Sequence, residues 1–155
     1  MVATFVGKCR SCGSAVSVPL LSDQQAYGEF IAYGVRGTAA AYLNAFQPAW
    51  DEIAEICGEF IALEHAHSGS AAVRGLHFAI GKCIDPIDGE ELRISTGPTC
   101  AACGSSEVDY GDGIRDGQVD LPAATFDKFL AADAKQRRQL VDEALQEWQN
   151  RERGS

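Results

Sequence analysis

Two four-residue clasps, Cys9-Arg10-Ser11-Cys12 and Cys100-Ala101-Ala102-Cys103, constrain this chain more than any other feature. Each is followed by Gly-Ser and, two or three residues later, by valine: Gly13-Ser14-Ala15-Val16 and Gly104-Ser105-Ser106-Glu107-Val108. They read as two copies of one device. Two thiolates three positions apart can bite one tetrahedral ion, and four of them fill the shell of a structural zinc. The ligand set expected is Cys9, Cys12, Cys100 and Cys103, holding one zinc. The glycine after each second cysteine suits a tight turn of positive φ, with backbone N–H groups aimed at the sulfurs. Short β-type stretches flank both clasps: 4–8 and 15–21 around the first, 92–96 and 107–110 around the second.

This arrangement resembles the zinc-ribbon family, whose paired C-x-x-C-G knuckles sit at the tips of two hairpins. The resemblance covers some 45 residues and implies a structural role for the metal; it names no activity. The chain departs from the family between the knuckles. A simple ribbon separates its cysteine pairs by roughly 15 to 20 residues, whereas 87 residues, 13 to 99, intervene here. Loop closure scales with the logarithm of length, so the longer excursion costs only about 1.4 kcal/mol more. A structural zinc supplies roughly 10 kcal/mol or more of folding free energy. The metal wins, and an inserted subdomain is tolerable.

Other uses of the cysteines remain open. Disulfides need an oxidising compartment, and the start Met-Val-Ala-Thr-Phe-Val-Gly-Lys lacks the apolar core of a signal peptide, so a reducing, cytoplasmic location is expected. A redox C-x-x-C opens a helix after a strand, but here Gly-Ser follows. Two separate sites are the third option, with His65 and His67 completing one. Cys57 reads as a small buried hydrophobe, and Cys83, beside Lys82, as a second.

The fold class expected is α+β. A discontinuous ribbon (1–21 and 96–120) carries a mainly helical insertion (22–95) and is followed by a helical tail (121–155). Within the insertion, Ser22-Asp23 offers an N-cap. Residues 24–37 fit either a helix or a short buried strand. Thr38 looks like a cap for a helix over Ala39 to Phe46, closed by Pro48. The clearest helix spans 48–66, with Ile53, Ile56, Cys57, Phe60 and Ile61 on its apolar face. Residues 70–84 suit a helix through Val73, Leu76, Ile80 and Ile84, or a strand by alternation. Asp85-Pro86-Ile87-Asp88-Gly89 is a turn by composition, 110–113 is loop, and 114–121 is a weak strand. In the tail, Leu140, Val141, Ala144, Leu145 and Trp148 share one face. Asp133 with Arg137, and Glu147 with Arg151, have the spacing of surface ion pairs. The apolar content of 22–95 is modest, so insertion and ribbon are expected to unfold together once metal is lost.

Charge narrows the functions. The formal net charge is −9, and such a balance repels a nucleic-acid backbone overall. It is unevenly spread. Lys8 and Arg10 stand alone in the first 21 residues, while Asp51, Glu52, Glu55, Glu59 and Glu64 crowd 51–68 without a base. The leading expectation is a non-enzymatic binding protein, a regulator or accessory factor of nucleic-acid machinery acting through protein contacts. Its docking residues would be Glu52, Glu55 and Glu59 on the acidic helix, with Lys8 and Arg10 on the ribbon; the bland reading of the acids is a solvated face.

Two further resemblances give alternatives. Gly117 to Pro122, then Phe126 to Leu130, then Gln139 to Leu145 resembles a ribbon-helix-helix DNA-binding unit. That implies direct DNA reading through the first knuckle and tail, with Lys135, Arg137 and Arg138 as its local bases. Its groove-facing strand residues would be Asp116, Gln118 and Asp120, which are wrong for DNA. Arg36-Gly37-Thr38, Gly75 to Ala79 and Glu90-Glu91 are similar to ordered pieces of ADP-ribosyltransferases, which implies a small transferase. The serine-threonine-serine element of that family is missing.

Overall fold

The computed structural model describes residues 2–21, 28–63, 69–94, 97–109 and 114–154. Expectations resting on Ser22-Asp23, His65, His67 and 110–113 lie outside these, as do the side chains of Phe60 and Ile61. The elements run β1 (Val2–Cys9), β2 (Ala15–Pro19), β3 (Glu29–Gly34), β4 (Ala40–Asn44), α1 (Pro48–Leu63), α2 (Gly69–Cys83), β5 (Leu92–Arg93), β6 (Val108–Asp109), β7 (Arg115–Val119), α3 (Asp127–Ala131) and α4 (Ala134–Arg153). The class is α+β, with two small antiparallel sheets and separate helices.

The first sheet is organised by β1. Thr4 to Lys8 pair β2 on one edge, while the other edge is shared: Val2 to Phe5 take β7, and Lys8 and Cys9 take β6. The β7 pairing is itself interrupted by a register shift between Thr4 and Phe5. Sequence-distant halves are thereby stitched along one strand. Of the stretch expected to lead into the second knuckle, 92–96, Leu92 and Arg93 join the other sheet instead, pairing Gly34 and Tyr33.

The second sheet, β4-β3-β5, corrects the expected helix over 39–46. Ala40–Asn44 form β4, paired antiparallel with β3 from Glu29↔Asn44 to Tyr33↔Ala40. Alternation explains it. Ala41 and Leu43 are fully buried while Ala40 and Tyr42 are partly covered. Alanine's helix preference is a few tenths of a kcal/mol and yields to a paired, half-buried surface. The outer edge of β4 is closed by the tail, where Tyr42 N–H donates to the Pro122 carbonyl and Ala124 N–H to that of Tyr42.

Helices α1, α2 and α4 cover this sheet. Ile53, Ile56 and Cys57 of α1 meet Ala79, Ile80 and Cys83 of α2 and Val141, Ala144 and Leu145 of α4 in one core. Phe126 and Phe129, the bulkiest fully buried side chains, come from the tail. Residues 70–84 therefore resolve as helix, with Val73 about half exposed rather than inward. Gly75 lets α2 approach α4, since a Cβ there would stand 3.0 Å from the Trp148 ring. Leu140 likewise turns outward, 38% exposed. Lys82 ties the layers at the rim, reaching Glu91 at 3.0 Å and Glu147 at 3.1 Å. Among the described residues no helix is long and apolar enough to cross a membrane.

Helix starts carry caps that local spacing hides. Asp133, expected to pair Arg137, is instead the N-cap of α4 in a reciprocal capping box with Gln136. Helix α3 has no cap of its own. Asp85, 40 residues upstream, supplies one by accepting from Thr125 Oγ1 and the N–H groups of Asp127 and Lys128.

Candidate metal centre

The knuckles repeat in three dimensions as they do in sequence. Cys9 N–H donates to the Ser14 carbonyl and Gly13 N–H to the Cys9 carbonyl; Cys100, Ser105 and Gly104 make the same two bonds, all four at 2.8–3.0 Å. Gly13 and Gly104 have φ of 77° and 76°, the left-handed turn a side chain would strain. One detail differs from expectation: these glycine N–H groups satisfy cysteine carbonyls, and the Cys12 N–H is the one that serves the Cys9 sulfur.

The two turns face each other. Arg10 N–H donates to the Glu107 carbonyl at 2.9 Å, and the hydroxyls of Ser11 and Ser105 meet at 2.8 Å. The four sulfurs are thereby gathered within 4.8 Å of one another. Cys9 lies 3.5 Å from Cys103, and Cys12 lies 3.7 Å from Cys100. Sulfurs about 2.3 Å from a tetrahedral ion stand about 3.8 Å apart. A disulfide needs about 2.0 Å, and all six cysteines are free. The donor set fits a metal ion.

Electrostatics agree with the geometry. The Cys9 thiol is drawn below its ordinary value, chiefly by the Cys12 N–H. Cys12 is drawn down to about 6, first by the Ser14 hydroxyl 3.2 Å away. Cys103 receives the Ser105 N–H, yet the other three sulfurs and burial push it up to about 12. Crowded sulfurs resist collecting negative charge, and a dication at their centre removes that resistance. Cys9 and Cys100 are fully buried while Cys12 and Cys103 are exposed. One edge of the site therefore faces solvent.

The other expected site residues lie elsewhere. Cys57 and Cys83 sit in the helical core, and burial pushes each thiol up to about 12, which leaves them unreactive. Lys8 is exposed opposite Asp109, and Arg10 pairs with Asp109 at 3.2 Å. Glu52 accepts from Arg137 at 3.1 Å, and Glu59 pairs with Arg138. Two of the three acids expected to dock thus bind the tail helix, and Glu55 is the one of them left exposed. Glu90 is buried with its carboxylate on Thr38 and Ala39, while Arg36 is exposed. Of the serines around the knuckles, Ser14 and Ser105 had one sequence signal, the repeated Gly-Ser, and Ser11 had none. No protein-family profile matches this chain, and no curated protein or solved structure matches it.

Proposed function

We propose that this chain is a non-enzymatic binding module, stapled by one structural zinc in a ribbon-type site, that docks onto a protein partner. The observation that carries the reading is the four-sulfur cluster. Four protein ligands leave no open position for water or substrate, which is the mark of a structural site. A reducing, cytoplasmic compartment suits free thiolates. An accessory role in nucleic-acid machinery, by protein contact rather than by reading DNA, is favoured by the fate of the bases. Arg10, Arg137 and Arg138 are each paired with an acid of the same chain, so little positive charge remains for phosphates within a net −9. The transferase reading is less favoured, because Glu90 holds a turn and Glu91 pairs with Lys82.

The experiment is affinity capture with metal-loaded chain and with the Cys100→Ser/Cys103→Ser variant, read by mass spectrometry, beside duplex DNA titrated at two salt concentrations. The reading expects one discrete protein held only by the metal-loaded form, and weak DNA binding. Tight, salt-sensitive duplex binding by the wild type, or turnover of a substrate, would replace it.

A further inference from the structure

A cleft of about 370 Å³ lies where the first sheet meets the second. Beside Thr4 and Tyr33, four runs of chain wall it: Val16 to Pro19 of β2, Gly37 to Ala40 at the β3–β4 turn, Pro98-Thr99 before the second knuckle, and Gln118, Val119 and Leu121 at the end of β7. The size falls in the range of roughly 300–1,000 Å³ typical of ligand clefts. Among the described residues, no Lys, Arg, Asp or Glu lines it. In so acidic a protein, an uncharged cleft selects against both phosphates and carboxylates, which would be desolvated there without a counter-charge.

Its polar groups have a fixed polarity. The Thr4 hydroxyl donates its proton to Asp116 at 2.6 Å, and the Thr38 hydroxyl donates to Glu90 at 2.8 Å. A hydroxyl has one proton and two lone pairs, so both present acceptors to the cleft. Gln118 adds a carboxamide, which gives and accepts. Val18, Pro19, Pro98 and Leu121 supply apolar wall between them. A guest complementary to this lining carries N–H donors, no charge and aliphatic surface in alternation. That is the chemistry of an extended peptide. Tyr33 donates to the Pro19 carbonyl at 2.6 Å, and Pro19 has no N–H, so the guest enters as a wedge between the sheets rather than as an added strand on β2.

We propose that this cleft holds a short, uncharged, extended peptide segment of the partner, with its N–H groups on Thr4, Thr38 and Gln118. The proposal rests on the binding-module reading and gives it a place. The test uses metal-loaded, 15N-labelled full-length chain titrated with an acetylated, amidated tripeptide of valine and alanine. The expected result is saturable amide shifts confined to the four wall segments, with Kd of about 1 mM. Ser17→Trp, which fills the cleft, should weaken binding about tenfold at unchanged metal content, and Gln118→Ala should weaken it without altering the spectrum elsewhere. Any of four outcomes overturns the proposal: no saturable shift, shifts scattered over other surfaces, butylammonium or acetate binding as tightly as the peptide, or a lone N-methylacetamide matching it. A silent titration leaves partner capture by the metal-loaded chain unaffected, so the two readings fail separately.

Discussion

Thr38 donates both its backbone N–H and its hydroxyl to the carboxylate of Glu90, at 2.8 to 3.2 Å, across 52 positions of sequence. Ala39 N–H adds a third donor at 3.1 Å. Glu90 is 1% exposed, and it lies against Gly34, where any Cβ would stand 2.0 Å from Oε1. The β3–β4 turn is therefore built around a carboxylate delivered from beyond α2. This is why a threonine that reads as a helix cap begins no helix.

Removing that carboxylate should be expensive. Glu90→Ala takes the acceptor from the Thr38 N–H and hydroxyl and from the Ala39 N–H, and hydrogen bonds to a charged group contribute about 1.5–3 kcal/mol. A loss of about 2–3 kcal/mol is expected, seen as a lower urea midpoint at unchanged slope. Thr38→Ala removes one donor and should cost about 1 kcal/mol. Equal effects from the two variants would show that Glu90 does not anchor the turn.

The metal centre makes a stoichiometric prediction. Elemental analysis of metal-saturated protein should give one zinc per chain. Cys57→Ala with Cys83→Ala should keep that zinc while losing about 2 kcal/mol or more of core packing. Cys100→Ser with Cys103→Ser should abolish tight binding. Two metals in the wild type, or half the metal in the core double variant, would mean that the ligand set is misassigned.

Chelation should act unevenly. The main core draws on β3, β4, α1, α2, β5 and the tail, and none of its residues belongs to the metal-bearing sheet. With Phe126, Phe129, Val141 and Leu145 supplied by the tail, the insertion no longer has to stand on its own apolar content. In chelator, limited proteolysis is expected to cut within 97–119 first and to leave fragments of about 28–94 and 122–153 that elute together. Loss of both fragments at the rate of the first cut would falsify this order of events.

Acid should weaken the α3 junction through Asp85. Burial pushes that carboxyl up, but the Thr125 hydroxyl, the N–H groups of Lys128 and Asp127 and the Lys128 charge outweigh it, so its pKa in the folded state lies below the ordinary value. A depressed carboxyl contributes stability that is fully present above its unfolded value, about 3.9, and is lost as pH falls through the folded one. Asp85→Asn should therefore cost about 1 kcal/mol at neutral pH, as a lost cap does, with the gap to wild type closing below about pH 4. Urea midpoints measured from neutral to acid pH give the comparison, and a gap constant with pH would remove Asp85 from the account.

The acids of α1 separate docking from internal pairing. Glu55→Lys should melt as wild type does, whereas Glu52→Lys should lower stability by about 1 kcal/mol, because it sets a second cation against Arg137. Partner capture lost in Glu55→Lys alone, at unchanged melting, would place the docking face on α1. Capture lost only in the destabilised variants would reflect folding instead.

The knuckles were legible from residues 9–14 and 100–105 alone because a metal site is written in local spacing. Two thiolates at i and i+3 and a glycine at i+4 meet their geometric needs within one turn, whatever lies between the copies. The helix over α1 was legible for the same reason, since its apolar positions recur with the period of the element itself. Other assignments depended on partners that sequence does not bring together. Ala40 to Asn44 becomes a strand only because β3 on one side and Pro122 to Ala124 on the other take its backbone groups. Leu92 and Arg93 join the second sheet rather than the knuckle because β3 offers an open edge. Asp85 reads as a turn residue and Glu90 as part of a transferase-like piece, yet each finds donors about 40 or more positions away. Glu52 and Glu59 read as a free acidic face until the tail helix brings Arg137 and Arg138 across it. Short-range periodicity and ligand spacing are properties of one segment, so a sequence carries them openly. Edge pairing, remote caps and charge compensation are properties of two segments, and only the folded chain decides which two meet.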